Sequence, residues 1–288
     1  MKLGIKIDVD TFRGTREGVP RLIELLKKHA AGATFLFSLG PDHTGRALRR
    51  AFRPGFFAKV SRTSVVEHYG VKTLLYGTLL PGPDIGRRCR DILRKTRDAG
   101  FEVGVHCWDH VRWQDFVAHK DARWTEGEMQ RAITRFREVF GEAPRTWGAA
   151  GWQTNAHAAR LEERFDYASD TRGTHPFQPV WNGADLGCPQ VPTTLPTLDE
   201  VIGLTPDPVA RLLSLTGKGD QVFTAHAELE GGKLAPEFER LLAGWRKQGY
   251  ELVPTRDMPR ERLPRHEVVF GEVPGRSGTL ALQGKEVT

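Results

Sequence analysis

The chain is short of cysteine, of long apolar runs and, in one stretch, of acid. Three cysteines, Cys89, Cys107 and Cys188, are spread over 288 residues. Their odd number and wide spacing exclude a disulfide framework and fit free thiols in a reducing compartment. No apolar run approaches the roughly 20 residues that span a bilayer; the longest candidate, residues 73–80, is far shorter. The N-terminus shows one brief apolar alternation that meets charge at Lys2, Lys6 and Asp8, so no leader pattern is read there and a cytoplasmic location is expected. There is no internal repeat and no low-complexity block. Acid is missing from Thr44 to Val66 in a chain whose net charge is already +6. A basic balance favours anionic partners, and where the charge sits decides which.

Hydrophobic residues make up 39% of the chain and charged residues 27%, enough apolar material for a sizeable core. Strand-like runs alternate with helical patterns. Residues 3–9, 33–38, 101–106, 146–150, 167–170, 221–226 and 250–253 read as strands. Helices are expected over 19–29, 85–99, 124–140, 156–164, 209–216 and 237–248, with Thr125 and Glu128 forming a capping box for the third. A βα order repeated about seven times predicts a parallel sheet or barrel over residues 1–254. After Pro254 the chain turns polar and rich in glycine and proline, so 255–288 is expected to be a mostly irregular tail.

Polar residues gather at the C-terminal ends of these strands: Asp8 and Asp10, His106, Asp170 and His226. In (β/α) barrels that rim carries the active site. Asp8 and Asp10 share a face at strand spacing. One can ligate a cation while the other serves as a base. His106 and His110 stand four residues apart, a spacing that suits a metal but is weak evidence alone. Asp109 can instead orient an imidazole. His226 is the natural general acid on the same rim, with Asp170 or Glu228 as its partner. Two histidines and one aspartate suit a divalent zinc, cobalt or manganese ion.

In this order, Asp8-Val-Asp10, His106-x-x-x-His110, Ala149-Ala-Gly-Trp152, Ser169-Asp-Thr-Arg-Gly173 and His226 resemble the five motifs of the polysaccharide deacetylase family, also called carbohydrate esterase family four. The resemblance runs from the N-terminus to about Val253. It implies a distorted seven-stranded (β/α) barrel that removes acyl groups from sugars with one divalent metal ion. By the same resemblance Asp8 is the catalytic base, Asp10, His106 and His110 are the metal ligands, and His226 is the catalytic acid. Trp152, Asp170, Arg172 and Glu228 take supporting or substrate-binding places. The longer runs Asp8 to Pro20, Val191 to Thr197 with Asp199-Glu200, and His226-Ala-Glu228 resemble the family's sugar-lipid deformylases. That branch implies an undecaprenyl-phosphate-linked 4-formamido-arabinose as substrate. Its product is an amino sugar for lipid A, which confers resistance to polymyxin. One departure stands out. The family usually has an arginine in its third motif that orients the base, but Gln153 follows Trp152 here. That role is either vacant or filled elsewhere, with Arg172 as the candidate.

Between the second and third expected strands lies a long insert, residues 41–83. On a helix over 45–53, Arg46, Arg49, Arg50 and Arg53 fall in one sector and Ala47, Leu48, Ala51 and Phe52 opposite. Phe56 and Phe57 continue the mixture. Such a segment reads as a basic amphipathic helix on anionic lipid, or as an ordinary surface helix packed on the barrel. No nucleic-acid-binding motif accompanies it, so no nucleic acid is expected as a partner. A polyprenyl-phosphate substrate favours the lipid reading, at the inner face of the cytoplasmic membrane.

Overall fold

Strand β1 (Lys2–Val9) is buried on both faces from Leu3 onward. Its two faces differ in chemistry. Leu3, Ile5, Ile7 and Val9 join the main apolar core with residues of the flanking helices, including Leu22, Leu26, Leu241 and Trp245. Gly4, Lys6 and Asp8 alternate with them and face the other way, because successive side chains of a strand point to opposite faces. Gly4 leaves room for Met258, whose side chain would stand 3.1 Å from a Cβ at that position.

The computed structural model describes residues 1–47 and 70–288. The remaining strands are β2 (Thr34–Ser38), β3 (Glu102–Cys107), β4 (Thr146–Trp147), β5 (Tyr167–Ala168), β6 (Gln178–Trp181), β7 (Ala184–Asp185), β8 (Gln221–His226), β9 (Glu251–Pro254), β10 (Arg265–Glu272) and β11 (Thr279–Glu286). Five of them and β1 form the main path in the order β5-β4-β3-β2-β1-β8, all parallel, and β9 pairs with the first half of β1 as a side branch. The sheet curls. The space between β5 and β8 is bridged by residues 191–195: Val191 N donates to Ala168 O, and Thr194 N to Val222 O at 3.0 Å. The fold is therefore α/β, a curled parallel half-barrel closed by irregular chain. Helices Val19–Lys28, Arg90–Asp98, Ala122–Phe140, Ala156–Glu162, Pro208–Leu215 and Ala235–Lys247 accompany the strands.

Three local differences from the sequence reading have physical causes. Helix Ala122–Phe140 begins a turn before Thr125, because the Asp121 carboxylate accepts Trp124 N and caps it. Glu128, expected to close a capping box, is fully buried and paired with Arg112 and Arg131. The C-terminal region after Pro254 is not an irregular tail. β10 and β11 form an antiparallel hairpin, and β10 pairs with β6 in a second sheet of order β11-β10-β6-β7. Few apolar residues hold this hairpin, chiefly Val268 and Ala281 against Phe177, so hydrophobic alternation is too sparse to announce it.

Of the insert, Arg46 is described: its Nε donates to Gly77 O at 2.9 Å. Arg49, Arg50, Phe52, Arg53, Phe56 and Phe57 lie outside the described residues. Among the described residues no helix is long and apolar enough to cross a membrane.

Candidate active site

The C-terminal ends of β1, β3 and β8 bring Asp8, Asp10, His106, His110 and His226 together. Asp10, His106 and His110 each offer a ligand atom, and these atoms lie within 4.8 Å of one another. His106 Nε2 stands 3.2 Å from Asp10 Oδ1, and His110 Nε2 stands 3.3 Å from Asp10 Oδ2. His106 Nδ1 donates to the carbonyl of Gly148 at 2.6 Å, which leaves Nε2 as the lone-pair nitrogen. That lone pair faces a carboxylate oxygen, and neither buried atom has a hydrogen-bond partner. Two acceptors held this close call for a cation between them, so the donor set fits a divalent ion.

His110 opens helix His110–Phe116. Asp109 caps that helix by accepting Arg112 N, and its other oxygen meets His43 Nδ1 at 2.6 Å. The imidazole that Asp109 orients is thus His43, from the start of the insert. Asp10 is fixed from the backbone side by Glu228. One Glu228 oxygen accepts Asp10 N, Thr11 N and Thr11 Oγ1 at 2.7–3.0 Å. Gly14 makes this possible, since a Cβ there would lie 2.1 Å from that oxygen.

Asp8 pairs in register with His226 across the β1–β8 ladder, which sets the two side chains on neighbouring strands. Its cation is Lys6. Lys6 Nζ lies 3.4 Å from Asp8 Oδ2, donates to Ser169 O at 2.9 Å, and sits 5.3 Å from the centre of the Trp152 ring. Arg172 does not reach Asp8. It is held by Glu200, at 2.6 and 3.2 Å, and by Leu195 O. Sequence reading passed over Lys6, although its position two residues before Asp8 on a strand carries the signal.

Neither Asp170 nor Glu228 faces His226. Asp170 accepts Ala149 N and Gln190 Nε2 and so fixes the turn that presents Gly148 O to His106. The carboxylate facing His226 is Asp199, whose Oδ1 lies 4.0 Å from His226 Nδ1. Asp199 belongs to the quoted run Asp199-Glu200, but no role was assigned to it from sequence. Trp152, in a left-handed conformation at φ 52°, presents its ring edge to His226 at 6.4 Å between centroids.

Electrostatics follow this geometry. Burial raises the Asp10 carboxyl, but His110 and His106 outweigh it and hold Asp10 well below the usual carboxylate range. Burial disfavours a charged His106, yet Asp8 and Asp10 raise it on balance. Burial and then Asp10 push Glu228 well above its ordinary value. Burial also pushes Glu230, which accepts the His226 backbone N–H, up to about 8.

A model of the polysaccharide deacetylase family matches residues 7–169. A Shewanella sediminis protein named as a probable 4-deoxy-4-formamido-L-arabinose-phosphoundecaprenol deformylase is 36% identical, covering 99% of this chain and 96% of its own length. A protein of the same name from Wigglesworthia glossinidia brevipalpis is 32% identical, over 94% of this chain and 99% of that one. Among solved structures, one from Mycobacterium smegmatis assigned to the polysaccharide deacetylases superposes with a TM-score of 0.62 at 17% identity, covering 94% of each chain.

Proposed function

The chain belongs to the polysaccharide deacetylase family, and we propose that this sugar deformylase or deacetylase is a metal-dependent deformylase. Its proposed substrate is 4-deoxy-4-formamido-L-arabinose on undecaprenyl phosphate, and its product the 4-amino sugar for lipid A modification and polymyxin resistance. As a member it is a hydrolase of a non-peptide amide bond. The observation that carries the reading is the pairing of a three-ligand cation site with a separate carboxylate and imidazole, Asp8 and His226, on adjacent strands. Near-full-length likeness to two proteins named as such deformylases supports the formyl group and the lipid carrier.

Asp10, His106 and His110 would hold the ion. When bound, a divalent ion supplies an electrophile for the formyl oxygen and a water of lowered pKa. Asp8 accepts the proton of the water that attacks the formyl carbon, while Lys6, 3.4 Å from Asp8 Oδ2, holds the carboxylate in place. As the C–N bond breaks, His226 donates a proton to the departing amine, and formate leaves. Asp10 and His110 remain partly open to solvent, at 11% and 19% of side-chain surface, so the substrate has a way in.

The substrate's lipid stays in the membrane, so the enzyme is proposed to act peripherally at its cytoplasmic face. The described borders of the insert support this. Val71 is 63% exposed and Leu79 81% exposed, and the same insert holds in its sequence the acid-free stretch with Arg46 and Arg49. Exposed apolar side chains in an insert whose sequence is rich in cations suit anionic lipid.

The test uses purified protein with the formamido-arabinose lipid. Bound metal and formate release are measured together, with the acetamido analogue as comparison. Formate release that follows metal content supports the reading. Acetate release exceeding formate release would assign the chain to deacetylation of another N-acyl sugar. Absence of both would make it a barrel that binds a lipid-linked sugar without turnover.

A further inference from the structure

The hairpin of β10 and β11 reaches into the acid half of the site through its loop. Gly275, at φ 86°, lets the loop backbone approach Glu200, where a Cβ would meet Glu200 Cα and O at 3.1 Å. The next residue, Arg276, is largely buried. Its Nε donates to Glu200 Oε1 at 2.6 Å, and its Nη2 donates to Thr197 Oγ1 at 2.8 Å and to Asp199 Oδ1 at 3.1 Å. Its guanidinium lies over the Trp152 ring, 4.9 Å from the centre. Asp199 Oδ1 also accepts the Thr197 hydroxyl at 2.6 Å. The same Asp199 oxygen faces His226 Nδ1. Hydrogen bonds therefore run from the C-terminal hairpin to Asp199, whose Oδ1 stands 4.0 Å from the otherwise unpartnered Nδ1 of the proton donor.

We propose that Arg276 is a positioning residue for His226: it fixes the Asp199 carboxylate against Nδ1, so that Nε2 is the nitrogen turned toward the leaving group. A planar guanidinium with several donors suits this task. It can hold Asp199 and Glu200 at once while stacking on an indole, and a lysine cannot reproduce that fork. Glu200 is shared between Arg276 and Arg172, which ties the hairpin to the segment that bridges β5 and β8. The hairpin, outside the residues matched by the family model, is thus part of the catalytic apparatus.

The proposal rests on the reading that His226 protonates the leaving amine, and its test separates the two. Full-length, metal-loaded wild type, Arg276→Gln, Arg276→Lys and His226→Ala are assayed on two substrates. The formamido-arabinose lipid has an amine leaving group that needs a proton. 4-Nitrophenyl acetate has a leaving group that departs as an anion. Arg276→Gln is expected to lower kcat on the amide by about 10- to 100-fold, with KM and bound metal little changed and the ester rate within about twofold. Arg276→Lys falls between wild type and Arg276→Gln on the amide. If Arg276→Gln does not fold, Arg276→Lys alone decides, by whether its loss is confined to the amide. Equal losses on both substrates, or no loss on the amide, would overturn the role of Arg276. His226→Ala losing both substrates equally would overturn the acid role beneath it.

Discussion

Lys6 Nζ lies 3.4 Å from Asp8 Oδ2 inside the curl of the sheet, and neither side chain is more than 4% exposed. Lys6 is thus the cation beside Asp8 in a chain whose third motif has Gln153 after Trp152. Removing one member of a buried ion pair strands the other, at a cost of about 3–5 kcal/mol. Lys6→Met is therefore expected to lower both the urea midpoint and formate release, by at least about 10-fold for the latter, while Lys6→Arg keeps most of both. A Lys6→Met protein with wild-type midpoint and turnover would exclude the pairing.

The cation ligands and the base should separate under mutation. His106→Ala and Asp10→Ala remove ligands and are expected to lose bound metal and turnover together. Asp8→Asn keeps the shape of the side chain, should retain near-normal metal content, and should lose about 100-fold or more in kcat. Elemental analysis beside formate release checks both. An Asp8→Asn protein with normal turnover would remove Asp8 from the role of base.

Gly14 gives a more remote test of the same site. A Cβ there would lie 2.1 Å from the Glu228 oxygen that holds Asp10 N and Thr11 N. Gly14→Ala must displace Glu228 and with it the loop that carries Asp10. Metal affinity is expected to fall by about 10-fold or more, the scale seen when groups that orient a ligand are lost. A metal titration with unchanged affinity would show that the loop tolerates the displacement.

Which parts of this fold were legible in sequence follows from how strongly each segment is buried. β1, β2, β3 and β8 are buried along almost their whole length, so their apolar alternation was visible and their polar ends stood out. Asp8, Asp10, His106 and His226 were read for that reason, and His110 from its four-residue spacing to His106. Lys6 was passed over because a charged residue between isoleucines reads as solvent-facing when a strand is taken to be exposed on one side. β1 has no solvent face. Asp199 and Arg276 come from a short helix and a hairpin loop, where position follows from tertiary packing and not from period. The alternation of Val268, Val269 and Phe270 fails for a related reason: Val269 and Phe270 are each 42% exposed on a sheet with little core beneath it.

The borders of the insert predict membrane behaviour. Val71→Asp with Leu79→Asp replaces two exposed apolar side chains by acids, and burial of a side chain of this type contributes about 1.5–3 kcal/mol. Flotation with vesicles containing anionic lipid is expected to drop by about 10-fold or more, with hydrolysis of a water-soluble substrate analogue unchanged. Charge reversal of Arg46, Arg49, Arg50 and Arg53 to Glu should do the same. Undiminished flotation of both variants would remove the insert from membrane docking.

Glu230 gives the fold a pH dependence whose sign can be worked out. Its side chain is fully buried, one oxygen accepts the His226 backbone N–H at 2.8 Å, and the other has no hydrogen-bond partner. Burial is the main reason that its carboxyl is raised to about 8 from an ordinary value of 4.5. Between those two values the folded protein holds a proton that the unfolded chain has released. Raising the pH through this window therefore favours unfolding. The contribution is fully present below about 4.5 and is lost as pH rises through about 8, a change on the order of a few kcal/mol. Glu230→Gln keeps the shape and removes the titration. Urea midpoints of wild type and Glu230→Gln, taken with chelator at acidic and alkaline pH, should therefore diverge, with the variant gaining on wild type as pH rises. Other buried acids, such as Glu162 and Glu102, titrate in both proteins and cancel in the difference. A gap between the two midpoints that stays constant across the window would mean that Glu230 is ionised in the folded protein.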